Sequence, residues 1–166
     1  LARGATLVSL QPNPTPELSL SILERYGVTN LATTPTLLRG LMALGEERVR
    51  PSRSRLRAIS SCGEPLNAKV VEFFRNAWDI TPMDHFGATE LALPIGNYNA
   101  LDMEVKAGSM GLPSPGYQMA IVDEAGNTLQ SGAIGLLASR STANNRYWLS
   151  YWEDPAASQD LVRNGW

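Results

Sequence analysis

The sequence predicts an α/β fold, with a mainly parallel sheet flanked by helices, followed by a smaller antiparallel, barrel-like unit. Two observations predict it. In the first half, short apolar, β-branched runs alternate with single amphipathic segments that carry their own start and stop residues, the pattern of βαβ units. From about Lys106–Gly108 onward the chain turns rich in Gly and Pro with short strand-like runs, a composition suited to antiparallel pairing. The expected subdomains are therefore 1–107 and 108–166.

Each element can be justified in order. ATLVSL (Ala5–Leu10) is apolar and partly β-branched and reads as a strand. In TPELSLSILERYG, Thr15 is placed to cap a helix, Pro16 to occupy its first position and Gly27 to end it. VTNLA (Val28–Ala32) is a second strand. TPTLLRGLMALG repeats the device with Thr34, Pro35 and Gly45. LRAISSC (Leu56–Cys62) is a third strand and NAKVVEFFRNAW, capped by Asn67, the helix after it. ITPMDHF (Ile80–Phe86) is the fourth strand. Beyond the boundary, Met119–Asp123 and Ile134–Arg140 read as strands with a hairpin-like turn at Glu124–Asn127, and Asp154 caps a last helix beginning at Pro155.

Composition narrows the function classes. Over 166 residues the formal net charge is −2, which argues against general nucleic-acid or membrane-surface binding. No apolar run approaches the ~20 residues a membrane span needs. LARGATLVSL lacks the h-region and small-residue cleavage site of a signal peptide. A single cysteine, Cys62, leaves no internal disulfide framework and no cysteine-rich zinc site, and makes the cytoplasm the simplest compartment. The start at Leu1 and the end at Asn164–Trp166 suggest a piece of a longer protein.

In open parallel sheets, ligands bind beyond the carboxyl ends of the strands, where helix N-termini and loops gather. Three short loops are expected there: Thr33–Thr36, Gly63–Leu66 and Gly87–Glu90. Gly63 permits close backbone approach to a flat ligand and Pro65 stiffens its loop. Phe86 offers an aromatic face and Thr89 a hydroxyl suited to a phosphate oxygen. Glu90 is a hard oxygen donor of the kind magnesium uses beside substrate phosphates. Together these fit a nucleotide bound with a metal.

Plainer readings stand beside that one. Glu90 and Thr89 also suit the first turn of a helix as a cap. His85, the only histidine, fits a packed strand-end residue, and Cys62 a small buried apolar group. RVRPSRSRLR (Arg48–Arg57) carries five arginines, which suits a solvated loop or a site for a phosphorylated ligand. Trp148 and Trp152 read as packing residues of the second unit.

The order GEPL, HFGATEL, GSMGLPSPGYQMAIVDEAGN and YWLSYWEDPAASQDLVRNGW resembles the adenylate-forming acyl-CoA synthetases over nearly the whole chain, and is most similar to the short- and medium-chain ligases. The resemblance implies part of an adenylate-forming enzyme fold and a two-step reaction. A carboxylate attacks the α-phosphate of Mg-ATP to give acyl-AMP and pyrophosphate, and coenzyme A then displaces AMP. It implies that Gly63, Glu64 and Pro65 line the adenine, within a nucleotide site that also draws on Asp84, His85, Phe86 and Gly87. Thr89 would contact the α-phosphate and Glu90 would bind Mg2+, these two being the catalytic pair. Thr34, Gly87 and Ala88 would border the acyl group. The implied partners are a small carboxylic acid, ATP and coenzyme A, with no nucleic acid and no membrane span, and with a homo-oligomer left open.

The sequence departs from the family pattern in places. Phe86 stands where the family usually has Tyr, so a hydroxyl is missing while the flat face remains. His85 replaces a commonly small residue and either contacts the adenine edge or narrows the acyl tunnel. Acetate-specialised relatives carry Trp where this chain has Gly87, which leaves room for a longer acyl chain. The family's phosphate loop is expected upstream of Leu1, its Thr-Gly-Asp block after Trp166, and its catalytic lysine in a C-terminal lid. Lys69 and Lys106, the two lysines present, fall in no such block, so these 166 residues alone are expected not to complete the reaction. An adenylation domain of a peptide synthetase, a non-catalytic nucleotide-binding relative and a basic polyanion-binding module are the alternatives.

Overall fold

The computed structural model of the protein describes residues 4–10, 14–53, 55–98, 101, 103–140 and 150–166. The chain forms two compact units, Leu1–Met83 and Asp84–Trp166.

The first unit contains α1 (Pro16–Tyr26), β1 (Asn30–Thr33), α2 (Pro35–Ala43), α3 (Glu46–Val49), a 3-10 turn at Arg50–Arg53, β2 (Ala58–Cys62) and α4 (Ala68–Trp78). The local signals act as expected. Thr15 Oγ1 accepts from the Leu18 amide, Thr34 Oγ1 from Leu37 and Asn67 Oδ1 from Lys69, each supplying an acceptor that the first helical turn lacks. Gly27, at φ 56°, ends α1: its amide reaches the Glu24 carbonyl and that of Val28 reaches Leu23. β1 and β2 run parallel, with Leu31 opposite Ile59 and Thr33 opposite Ser61.

The core of this unit is built from helix faces. α4 buries Val70, Val71, Phe74, Ala77 and Trp78, the spacing of one apolar stripe on a 3.6-residue period. Leu20 and Leu23 of α1, Leu38 and Leu41 of α2, Val49 and Ile59 belong to the same cluster. The Phe74 and Trp78 rings lie 4.7 Å apart, and the fully buried indole donates to the Val49 carbonyl at 2.8 Å.

The second unit departs from the expected pattern. β3 (Met83–Ala88) is followed not by a helix but by β4 (Ala92–Gly96), which pairs with it antiparallel, and β4 pairs antiparallel with β5 (Leu112–Pro113). Strand pairing is therefore mixed rather than mainly parallel. The physical reason lies in the turn. The Leu91 amide bonds back to the Ala88 carbonyl at 3.1 Å, and Ala92 takes a left-handed φ of 56°. A Cβ on Gly87 would meet the Ala92 carbonyl oxygen at 2.5 Å, so the returning strand comes this close only because position 87 has no side chain. Antiparallel pairing thus begins upstream of Lys106–Gly108.

β6 (Met119–Val122) and β7 (Leu136–Ser139) form a second antiparallel sheet, an open pair among the described residues rather than a closed barrel. The turn at Glu124–Asn127 does not lead straight from one to the other. It first returns the chain so that Thr128 bridges Val122 and the Leu129 amide bonds Ile121, and β7 then pairs with β6 from Leu136. Asp123 holds this turn, its carboxylate accepting from the Ala125 and Asn127 amides and the Asn127 side chain. α5 (Pro155–Asp160) begins where expected, with Asp154 accepting from the Ala157 amide at 2.9 Å.

Three further expectations are corrected. Ala5–Leu10 forms no strand, and Leu7 is 70% exposed; β propensity needs a ladder partner, and no described residue pairs with this run. Trp152 is 89% exposed rather than packed into the unit, while Trp148 lies outside the described residues. Cys62, at the last position of β2, is half-buried rather than a core residue. Among the described residues, no helix is long and apolar enough to cross a membrane.

Trp78 gives the test of this core. Trp78→Phe keeps most of the ring but strands the Val49 carbonyl, and should cost about 1–3 kcal/mol of unfolding free energy. Trp78→Ala should cost about 3–5 kcal/mol. Denaturant titration reads both, and a Trp78→Phe protein as stable as the wild type would mean that the indole N–H contributes nothing.

Candidate functional site

In the first unit, Thr34, Gly63, Glu64 and Pro65 lie on the loops that follow β1 and β2. Thr34 spends its hydroxyl on capping α2. Gly63 sits at φ 100°, a conformation that L side chains rarely adopt, and no atom lies within 4 Å of where a Cβ would stand. Glu64 and Pro65 are exposed beside it, and the chain is gripped again at buried Leu66. Glu64 is engaged on both oxygens. Thr36 donates its hydroxyl to Oε1 at 2.5 Å, and Arg39 donates Nη2 to Oε2 at 2.6 Å. Arg39 also reaches the Thr36 hydroxyl at 2.7 Å, closing a three-membered network. The Thr36 hydroxyl, and then Arg39, hold the Glu64 carboxyl below its usual range.

The neighbouring arginine run is largely committed elsewhere. Arg50 pairs with Glu46 one turn earlier, and Arg57 donates to Asn30 Oδ1 at 3.3 Å. The alkyl stem of Arg55 packs beside Gly27. The run is not a loop throughout, since Arg48 lies in α3, Arg50–Arg53 form the 3-10 turn, and Val49, Ser52 and Leu56 are buried.

In the second unit, Asp84, His85, Phe86, Gly87 and Ala88 all belong to β3, while Thr89 and Glu90 occupy the turn into β4. Gly87–Glu90 is therefore half strand and half hairpin turn, not a strand-to-helix loop. Since no helix follows, Glu90 caps none. Asp84 is buried, and its carbonyl accepts from both the backbone and side-chain nitrogens of Asn97. His85 pairs with Gly96 across the hairpin and meets the edge of Tyr98, with ring centroids 5.7 Å apart. Burial pushes its imidazole down, partly opposed by the Asp84 charge. Phe86, opposite Ile95, is half-buried, and Thr89 is exposed.

Glu90 borders a cleft of about 490 Å³ within this unit, whose walls include Val122, Leu137, Tyr151, Arg163 and Trp166. Tyr151 donates its hydroxyl to Glu90 Oε1 at 2.5 Å across 61 positions of sequence. That bond lowers the Glu90 carboxyl below its usual range and raises the Tyr151 phenol. The segment bearing Tyr151 is anchored in turn, its amide bonding Ser158 Oγ on α5. Among the described residues, no three His, Cys, Asp or Glu side chains cluster as a metal cage.

Sequence reasoning named Thr36 only as part of its loop and missed Arg39 and Tyr151. The three-residue spacing of Thr36 and Arg39 puts them on one helix face and was readable. Their shared partner, 28 and 25 positions away, was not. Nothing local to Tyr151 points to Glu90.

The first unit pairs two parallel strands among helices and the second carries antiparallel strands, an α/β architecture. The chain belongs to the AMP-binding enzyme family, whose sequence profile matches residues 1–148. An acyl–CoA ligase of Bacillus subtilis, YtcI, itself uncharacterized, is 34% identical over 98% of this chain and 30% of its own length. A Brucella canis acyl-CoA synthetase superposes with a TM-score of 0.74 at 40% identity, over 81% of this chain and 24% of that one. The anthranilate CoA ligase AuaEII, solved with anthranoyl-AMP, gives a TM-score of 0.79 at 28% identity, over 95% and 30%. The chain thus spans about a third or less of the length of these relatives.

The Tyr151–Glu90 bond has a defined pH signature. A carboxyl lowered in the folded state contributes stability that is present above its ordinary range and lost as pH falls through the lowered value. A carboxyl-detected NMR titration should place Glu90 below the ordinary glutamate value of about 4.3, rising toward it in Tyr151→Phe. The same midpoint in both proteins would show that the phenol does not hold the carboxylate.

Proposed function

We propose that the protein carrying this sequence is a carboxylate–CoA ligase. A carboxylate oxygen bonds to the α-phosphorus of ATP as the bond to pyrophosphate breaks. The thiol of coenzyme A then takes the acyl group and AMP leaves. In this reading the Gly63–Pro65 loop serves the adenine, Phe86 flanks the base, Thr89 donates to the α-phosphate, and Gly87 and Ala88 leave space for an acyl chain longer than acetyl. Thr34 borders that acyl group by position, its hydroxyl being occupied as a cap.

The observation that carries the reading is Glu90, a carboxylate held by Tyr151 on a turn directly after Thr89, in a chain of the AMP-binding family. The relative solved with anthranoyl-AMP supports the acyl-adenylate as the intermediate. The donor set suits magnesium. That ion is commonly held by one or two carboxylates together with substrate phosphates, and Glu90 supplies one such carboxylate. When bound, magnesium supplies charge neutralisation at the phosphates. The chain's own part is to hold the Glu90 oxygens in place and to offer the Thr89 hydroxyl where negative charge grows.

The test is ATP–pyrophosphate exchange by the full-length protein across acids from acetate to medium-chain and aromatic. Exchange should depend on one acid class and fall by roughly 10²-fold or more in Glu90→Gln. A folded protein that supports no exchange with any acid would move a binding-only relative to the front.

A further inference from the structure

We propose that Arg39 and Thr36 are positioning residues for the Gly63–Pro65 loop, and that Glu64 works as a strut to helix α2 rather than as a contact to the nucleotide. The inference rests on the reading of that loop as the adenine site. Both Glu64 oxygens accept a bond from α2, Oε1 from Thr36 and Oε2 from Arg39. Those two bonds point the carboxylate at α2 and fix its direction from the helix side. Beside it, Gly63 leaves loop backbone free of side-chain bulk, open to a flat base.

The anchor is well placed for this work. Thr36 and Arg39 stand on the first two turns of a helix whose start is set by the Thr34 cap and by buried Pro35. Gly63 itself has a permissive backbone. Glu64 and Pro65 are exposed, so packing does little to hold the loop before Leu66. A tether to a rigid helix supplies what packing does not. It also cancels a charge: a free carboxylate near a polyphosphate would repel it, whereas Glu64 paired with Arg39 presents no net charge.

A strut differs from its rivals in which ligand feels its loss. If Arg39 acted on phosphate directly, its removal would weaken ATP and spare adenosine. If Glu64 contacted the base, Glu64→Gln would weaken both ligands while Arg39→Ala left them alone. A strut weakens ATP and adenosine equally, through either residue, with no further loss when both are gone.

The experiment is calorimetric titration of the full-length protein with ATP and, separately, with adenosine. The proteins are the wild type, Arg39→Ala, Arg39→Lys, Glu64→Gln and the Arg39→Ala/Glu64→Gln double variant, each checked by thermal unfolding. Both Arg39→Ala and Glu64→Gln should raise the Kd for either ligand roughly threefold to fivefold, the scale of an exposed pair. The double variant should match the singles, Arg39→Lys should recover part of the loss, and the unfolding temperatures should stay together. Unchanged Kd values in Arg39→Ala, or a loss confined to ATP, would overturn the strut while leaving the adenine loop standing. A wild-type protein that binds neither ATP nor adenosine would overturn the loop reading and the strut with it.

Discussion

A buried indole must find an acceptor for its N–H, and the first unit is organised around how Trp78 meets that demand. The ring is fully enclosed and sits at the last residue of α4. It takes the carbonyl of Val49, at the close of α3. One bond thus ties the last turn of α4 to the start of the arginine-rich segment. Phe74, a turn earlier, packs against the same ring, so the bond and the apolar stripe reinforce each other. α1 and α2 close over this centre through Leu20, Leu23, Leu38 and Leu41. The strand pair β1–β2 is held with its exits in register, and the polar loops begin from those exits.

Three carboxylates show how the chain turns exposed groups into fixed ones. Glu64, Glu90 and Asp123 each accept hydrogen bonds that lower the carboxyl, and in each the donor that lowers it most is neutral: Thr36, Tyr151 and Asn127. Neutral donors orient a carboxylate without cancelling its charge. That suits Glu90, whose proposed part needs a negative oxygen in a set direction. Glu64 differs, because Arg39 adds a full positive charge beside the hydroxyl. The two glutamates therefore suit different work, one as a charge to be used and the other as a tie between elements.

Local chemistry was legible wherever a residue acts on its own neighbours. Thr15, Thr34, Asn67 and Asp154 were placed as caps by their position before apolar periodicity, and each accepts an amide two or three residues on. The β3–β4 hairpin was not legible. DHFGATEL, read from its neighbours, looks like the exit of another parallel strand. What decides it is that the returning backbone at Ala92 comes within reach of Gly87, a contact no residue type announces. Ala5–Leu10 failed in the opposite sense, having the composition of a strand without a partner to make it one.

By itself, the sequence determined α1, α2, α4 and α5 with their caps, the parallel β1–β2 pair, and the family to which the chain belongs, but not α3. These depend on backbone and side-chain preferences that act over a few residues, or on motif order along the chain. Only the tertiary structure decided which strands run antiparallel, that Trp152 faces solvent, and that Thr36, Arg39 and Tyr151 are the partners of Glu64 and Glu90. Hydrogen bonds across 25 to 61 positions depend on where the packed elements bring their surfaces together, and no local pattern encodes that.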